Sequence, residues 1–152
     1  MTKSQIPPIP EGQTCFPYLS VRRAAEAIDF YRRAFGAREA LRIAMPDGRL
    51  GHAELSIGRA RFYLSDEHPE LGAVSPETLG GTSASVVVYV EDVDALVARA
   101  AAAGATVERP PQDLPFGDRM AWLRDPYGHR WAFASRIEDV SPEEMQRRLS
   151  ST

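Results

Sequence analysis

The feature that most restricts this chain is that it writes one order of elements twice. Counted along the sequence, Gly36 to Pro46 is ten residues and Gly104 to Pro115 is eleven, while Pro46 to Phe62 and Pro115 to Trp131 are both sixteen. Val21 and Val90 lie fifteen and fourteen residues before those same glycines. A period kept through these landmarks with one-residue slips marks a duplicated supersecondary unit rather than chance. In the first copy, residues 16–21 carry Tyr18, Leu19 and Val21 and predict a strand. From Arg22 the spacing changes to three and four residues, through Ala24, Ile28, Tyr31 and Phe35, and stops at Gly36, which predicts an amphipathic helix. Strands are predicted over Arg38–Ala44, Leu50–Ile57 and Ala60–Asp66, separated by Pro46-Asp47-Gly48 and Gly58. The second copy repeats the order: a strand over 85–90, a helix over 92–103 ending at Gly104, and strands over 106–109, 119–124 and 129–135.

The expected organisation is therefore a mobile leader over 1–14, a βαβββ module over 15–67, a linker over 68–83, a second module over 84–136, and a short terminal helix within 137–152. That helix is announced by Ser141-Pro142-Glu143-Glu144, which places Ser at the N-cap and Pro at the first helical position. Charge bounds the partners. Lys plus Arg is 18 against 21 for Asp plus Glu, a formal net charge of −3, which offers no positive field to nucleic acid or anionic lipid. Cys15 is the single cysteine, so no intrachain disulfide can form, and a cytoplasmic location is expected. No apolar run is long enough for a signal sequence or a membrane span. Phosphate-loop, dinucleotide and serine-hydrolase signatures are absent.

The stretches PYLSVRRAAEAIDFYRRAFGA, PDGRLGHAELSIG, VVVYVEDVDALVARAAAAGATV and LRDPYGHRWAFAS resemble the vicinal oxygen chelate superfamily, which includes glyoxalase I, extradiol dioxygenases and the bleomycin and fosfomycin resistance proteins. The likeness runs from about residue 16 to 136. It implies an α+β fold in which two tandem βαβββ modules form a curled mixed sheet, cup-shaped, with the helices on the convex side. Strand parity then assigns faces: Leu19 and Val21 should meet the first helix, leaving Phe16, Tyr18 and Ser20 toward the cup. Likewise Val86, Val88 and Val90 should pack outward, leaving Ser85, Val87 and Tyr89 inward.

Metal-dependent members of that superfamily place a His, Gln or Glu at the start of each module's first strand and a Glu near each module's end. The matching positions here are Phe16, Ser85, Tyr63 and Ala132, none a customary ligand of a divalent metal. No metal and no cofactor is expected. His52 and Glu54 share one strand face, opposite Ala53, Leu55 and Ile57, which sets both in the cup. They could act as an acid–base pair, as part of a shifted metal site, or as a hydrogen-bonded anchor for a ligand. His129, in the turn DPYGH, is expected to hold that turn, and His68, beside Pro69, to be solvated. Asp118 and Arg119 read as a charged pair, with Arg119 able to grip a carboxylate or phosphate. Cys15 reads as an unreactive thiol, and Arg22, Arg23, Arg32 and Arg33 as a solvated helix face.

Two functions remain open. The first is a binder that holds a small apolar or aromatic molecule, without metal, in the cup between its two modules, lined by Phe16, Tyr18 and Tyr63, with Ser85, Tyr89, Arg119 and Ala132 from the second module and His52 and Glu54 as polar anchors. The second is a lyase, isomerase or dioxygenase-type enzyme using His52 and Glu54 or a shifted metal. A homodimer is expected, because open cups leave strand edges to be covered.

Overall fold

The computed structural model describes residues 6–151; residues 1–5, the start of the expected leader, and residue 152 lie outside them. The first module runs β1 (Tyr18–Val21), α1 (Ala24–Phe35), β2 (Arg38–Ala44), β3 (Leu50–Ile57) and β4 (Ala60–Asp66). A connecting segment holds one 3-10 turn, Pro69–Leu71, and the short helix α2 (Pro76–Leu79). The second module runs β5 (Ser85–Tyr89), α3 (Val93–Ala103), β6 (Thr106–Asp113), β7 (Asp118–Arg124) and β8 (Arg130–Arg136), followed by α4 (Pro142–Ser150). Each module is an open four-stranded sheet, ordered β1-β4-β3-β2 and β5-β8-β7-β6. The pairs β1/β4 and β5/β8 are parallel and the others antiparallel, so the fold is α+β with mixed sheets. Among the described residues no helix is long and apolar enough to cross a membrane.

Local chemistry sets the helix ends. Gly36 adopts φ 67° and closes α1, while Asp92 caps α3 by accepting the Ala95 N–H at 3.0 Å. Each helix lays its apolar stripe on one face of its sheet, and parity follows: Leu19, Val21, Ala53, Leu55, Ile57 and Val88 are buried. The two helix faces merge into one core. Tyr31 of α1 lies 5.6 Å from Phe62 and 5.4 Å from Trp131 between ring centroids, and Phe35 lies 4.8 Å from Phe133. Arg99 of α3 donates to the carbonyls of Arg32 and Arg33, satisfying the open end of α1. Asp125, buried at the centre, accepts from the Tyr31 hydroxyl, the Trp131 indole, and the backbone N–H groups of Tyr127 and His129. A buried carboxylate needs this many donors to offset its lost hydration.

Three expectations are corrected, and one contact is added to the described part of the leader. Strand β6 continues to Asp113 instead of ending at residue 109, in spite of Pro110 and Pro111, because it is an edge strand and its register shifts between Arg109 and Gln112. The described part of the leader has no regular structure, yet it is tethered: the Gln13 side-chain amide donates to Arg61 O at 2.7 Å and accepts from Arg61 N at 2.8 Å, pairing β4 as a strand would. His68 is buried at 6% exposure rather than solvated. The segment folds back because His68 N–H bonds Ala73 O, and Glu67 accepts from Ser75 N and Thr78 Oγ1. His129 does not hold its own turn through its ring; Asp125 does that, and His129 Nε2 instead donates to Ser20 O of β1 at 2.9 Å, joining the modules.

Candidate functional site

With the helix faces packed into the core, the candidate side chains gather on the opposite, open faces. On the first module Tyr63 of β4 sits in register with Tyr18 of β1 and Glu54 of β3. Phe16, just before β1, stacks on Tyr63 with centroids 4.6 Å apart and planes 12° apart, and the edge of Tyr18 meets Tyr63 at 5.8 Å. His52 lies 5.0 Å from the same ring. These contacts gather Phe16, Tyr18, His52, Glu54 and Tyr63 into one cluster.

A hydrogen-bonded chain runs through it. Glu54 Oε1 lies 3.0 Å from His52 Nε2, and His52 Nδ1 lies 2.7 Å from the Tyr18 hydroxyl. An ionised carboxylate only accepts, so with a neutral ring Nε2 carries the hydrogen and Nδ1 accepts from the phenol. Desolvation first, and then the nearby Glu54 charge, push the Tyr18 phenol above its ordinary value, against a lowering contribution from Ser65. Tyr18 therefore stays protonated. Tyr18 is 52% exposed as a residue and is the most exposed member of the chain.

The second module's open face is different. Tyr89 of β5 donates to Asp118 Oδ2 at 2.8 Å, a bond that raises the Tyr89 phenol, and the Arg136 guanidinium lies 5.9 Å from the Tyr89 ring centre. Ser85 opens β5 and is exposed. Ala132 is fully buried, in register between Val87 and Trp122, so it forms the floor of this face beneath larger neighbours. Arg119 is not on this face. It shares parity with the buried Ala121 and Leu123 and pairs with Asp94 of α3 at 2.7 Å and Asp113 at 2.9 Å, while Asp118 turns the other way. The expected Asp118–Arg119 pair is therefore split, with Arg119 committed to surface carboxylates. Sequence reasoning missed Asp118 as a partner of Tyr89, Trp122 with Arg130 stacked 4.3 Å above it, and the exposed Leu41 and Ile43 of β2. Extending strand parity to β2 and β7 exposes all of them.

Two cavities flank Tyr89 and Arg136. One, about 670 Å³, reaches Ile57 and Arg59 at the end of β3; the other, about 480 Å³, lies between Phe116, Asp118 and the Met145 and Leu149 side of α4. The donor set does not fit a divalent metal. Phe16, Tyr63, Ser85 and Ala132 offer no imidazole, carboxylate or thiolate, and among the described residues no group of three or more His, Cys, Asp or Glu is placed to hold an ion.

Comparison with known proteins agrees with the fold. The model of the Glyoxalase/Bleomycin resistance protein/Dioxygenase superfamily matches residues 14–133. An uncharacterized protein of Mycobacterium tuberculosis is 41% identical over 138 residues, covering 89% of this chain and 81% of its own. The crystal structure of TioX from Micromonospora sp. ML1 superposes with a TM-score of 0.67 at 31% identity, covering 83% of this chain and 100% of that one. A glyoxalase-related enzyme from Fulvimarina pelagi shares the fold at a TM-score of 0.62 and 21% identity, over 82% of this chain and 88% of its own.

Proposed function

This chain belongs to the Glyoxalase/Bleomycin resistance protein/Dioxygenase superfamily, and from that premise we propose that it binds small aromatic molecules without a metal, on the open face of its first module. The observation that carries this reading is the cluster itself: three aromatic rings, Phe16, Tyr18 and Tyr63, interlocked at stacking and edge distances, with a hydrogen-bonded chain from Glu54 through His52 that ends on the Tyr18 hydroxyl. Aromatic walls with one or two directional groups are the composition of small-molecule sites. The positions that carry metal ligands in metal-dependent members of the superfamily carry aromatic or small side chains here, which supports the metal-free part. Leu41, Ile43 and Val87 stand 42%, 49% and 49% exposed on the two open faces, and a second copy of the chain would cover them, which supports a homodimer. A fluorescence titration with planar aromatic probes such as 2-naphthol is expected to show saturable binding that Tyr63→Ala weakens. Absence of binding by every probe, or about one equivalent of tightly held metal per chain by elemental analysis, would overturn the reading.

A second reading, a lyase or isomerase that moves a proton, is favoured by one feature only, the unbroken chain from Glu54 through His52 to Tyr18. Transfer of solvent deuterium into a carbon acid, lost in Glu54→Gln, would establish it.

A further inference from the structure

Both ring nitrogens of His52 are engaged within the protein, Nε2 by Glu54 at 3.0 Å and Nδ1 by Tyr18 at 2.7 Å. His52 therefore has no free nitrogen to offer a ligand. At the other end of the hydrogen-bonded chain stands Tyr18, its most exposed residue at the edge of the aromatic cluster, whose oxygen keeps lone-pair capacity beyond its bond to His52. We propose that Tyr18, not His52, is the hydrogen-bonding contact for the ligand, and that the protonation state of His52 decides whether Tyr18 accepts from that ligand or donates to it. This rests on the first module's open face being the ligand site.

The polarity follows from counting hydrogens. With a neutral imidazole, Glu54 takes the Nε2 hydrogen, Nδ1 presents a lone pair, and the Tyr18 O–H is spent on it. The phenolic oxygen then has only lone pairs for the ligand, so the site selects a donor: a phenol, an anilide or an amine N–H. With an imidazolium, both nitrogens donate, one to Glu54 and one to the Tyr18 oxygen. The phenol hydrogen is then released to a ligand acceptor, such as a ketone or carboxylate. Because burial holds the phenol above its ordinary value and it keeps its own hydrogen in both states, the change is a reorientation of one O–H and not the formation of a phenolate. Gly51 O, 3.4 Å from the hydroxyl, gives the released hydrogen a weak resting partner in the absence of an acceptor ligand.

The groups around the imidazole are few. Tyr18 comes from β1, Glu54 from its own strand β3, and Tyr63 from β4, while β2 places the apolar Ile43 and Leu41 in register with His52 and Glu54. Glu54 is the one charged group among them, and it engages Nε2 without competing for Nδ1. The aromatic ligand class and the donor requirement are thus set by different residues: Phe16 and Tyr63 by stacking, Tyr18 by hydrogen bonding.

The test has two arms. In the first, ligand-free protein labelled with 15N-histidine and 13Cζ-tyrosine is titrated by NMR between about pH 5 and pH 8.5, the interval in which imidazoles as a class titrate. The expected result is an Nε2–H tautomer for His52 at high pH and a Tyr18 Cζ resonance that shifts with the same midpoint as the His52 nitrogens, the shift being lost in His52→Gln. An Nδ1–H tautomer, or a Tyr18 resonance indifferent to the His52 titration, would overturn the proposal. In the second arm, 2-naphthol and 2-acetonaphthone serve as donor and acceptor probes of similar shape. Their affinity ratio is expected to change by about tenfold across the same interval, the size of one exchanged hydrogen bond, and to become independent of pH in Tyr18→Phe. A ratio that is constant in the wild type refutes the switch. Failure of both probes to bind, alongside the expected NMR coupling, would refute the location of the ligand site and leave the relay standing as a property of the free protein.

Discussion

The two modules agree on one face and disagree on the other. On the helix faces the register partners correspond: Phe62 lies opposite Leu55 and Leu64 opposite Ala53, as Trp131 lies opposite Leu123 and Phe133 opposite Ala121. All eight are buried. On the open faces the row Tyr18–Tyr63–Glu54 corresponds to Val87–Ala132–Trp122. A hydroxylated, charged row has become an apolar one, and a large ring on the middle strand has changed places with a large ring on its neighbour. Close packing excludes polar groups without partners, so the faces shared in the core carry apolar side chains at all four corresponding positions, while the faces turned to solvent differ in chemistry. The first module carries the polar relay and the second an apolar floor beside the Tyr89–Asp118 bond.

The strongest way to break this comparison is to test whether the helix faces form one core. Trp131 is fully buried, packs against Tyr31 and Phe62 of the first module and Phe133 of the second, and donates to Asp125. Trp131→Ala is expected to cost about 3 to 5 kcal/mol in urea unfolding, with both modules lost in a single transition. Two separated transitions would show that the modules fold independently.

The alkaline limb of stability sharpens the same point. Burial first, and the Asp125 charge second, hold the Tyr31 phenol well above its ordinary value. An acid whose folded value is raised contributes stability that is fully present below its unfolded value, near about pH 10, and is lost as pH rises beyond it. The expected loss is about 1.4 kcal/mol per pH unit above that point from this group. Tyr31→Phe should flatten that limb while lowering stability at neutral pH by about 1 kcal/mol, through the hydrogen bond withdrawn from Asp125. Unfolding curves at about pH 8 and pH 11 decide it. An unchanged alkaline slope in the variant would place the titrating group elsewhere.

A smaller effect separates the open faces. Tyr63→Ala removes the ring that both Phe16 and Tyr18 pack against, and is expected to weaken an aromatic probe by about 1 to 2 kcal/mol. Val87→Ala, the change on the second module's outer strand, should alter the same affinity by less than about 0.5 kcal/mol. Equal losses would mean that ligands lie across both faces.

The fold was legible because repeat length, helix-stopping glycines and strand alternation are local signals. Five of the nine proposed ligand contacts, Phe16, Tyr18, His52, Glu54 and Tyr63, meet in one cluster because alternation along β1, β3 and β4 settles which side each occupies. Parity also applied to Arg119, and reading it with Asp118 as a neighbouring pair overlooked that adjacent strand residues point to opposite faces. Ala132 lies on the expected face, but its burial depends on the sizes of Val87 and Trp122 on other strands. The roles of His129 and Asp125 were hidden for a similar reason. Their partners Ser20 and Tyr31 lie in the other module, and nothing local announces a contact across such a separation.

The smallest predicted effect is the most discriminating. His52→Ala removes a side chain from an open face whose backbone partners on β2 and β4 are untouched, so stability is expected to change by no more than about 0.5 kcal/mol. Its effect on an aromatic probe should also be modest, less than about 1 kcal/mol, because the imidazole acts through Tyr18 and that hydroxyl can turn to water or Gly51 O when the ring is gone. Tyr18→Phe, which removes the contacting atom, should cost a hydrogen-bonding probe more than His52→Ala does. The order of the two losses, measured by the same titration, is what matters. If the histidine variant loses more affinity than the tyrosine variant, the imidazole itself reaches the ligand, and the first module's face works by direct contact rather than through a relay that the second module lacks.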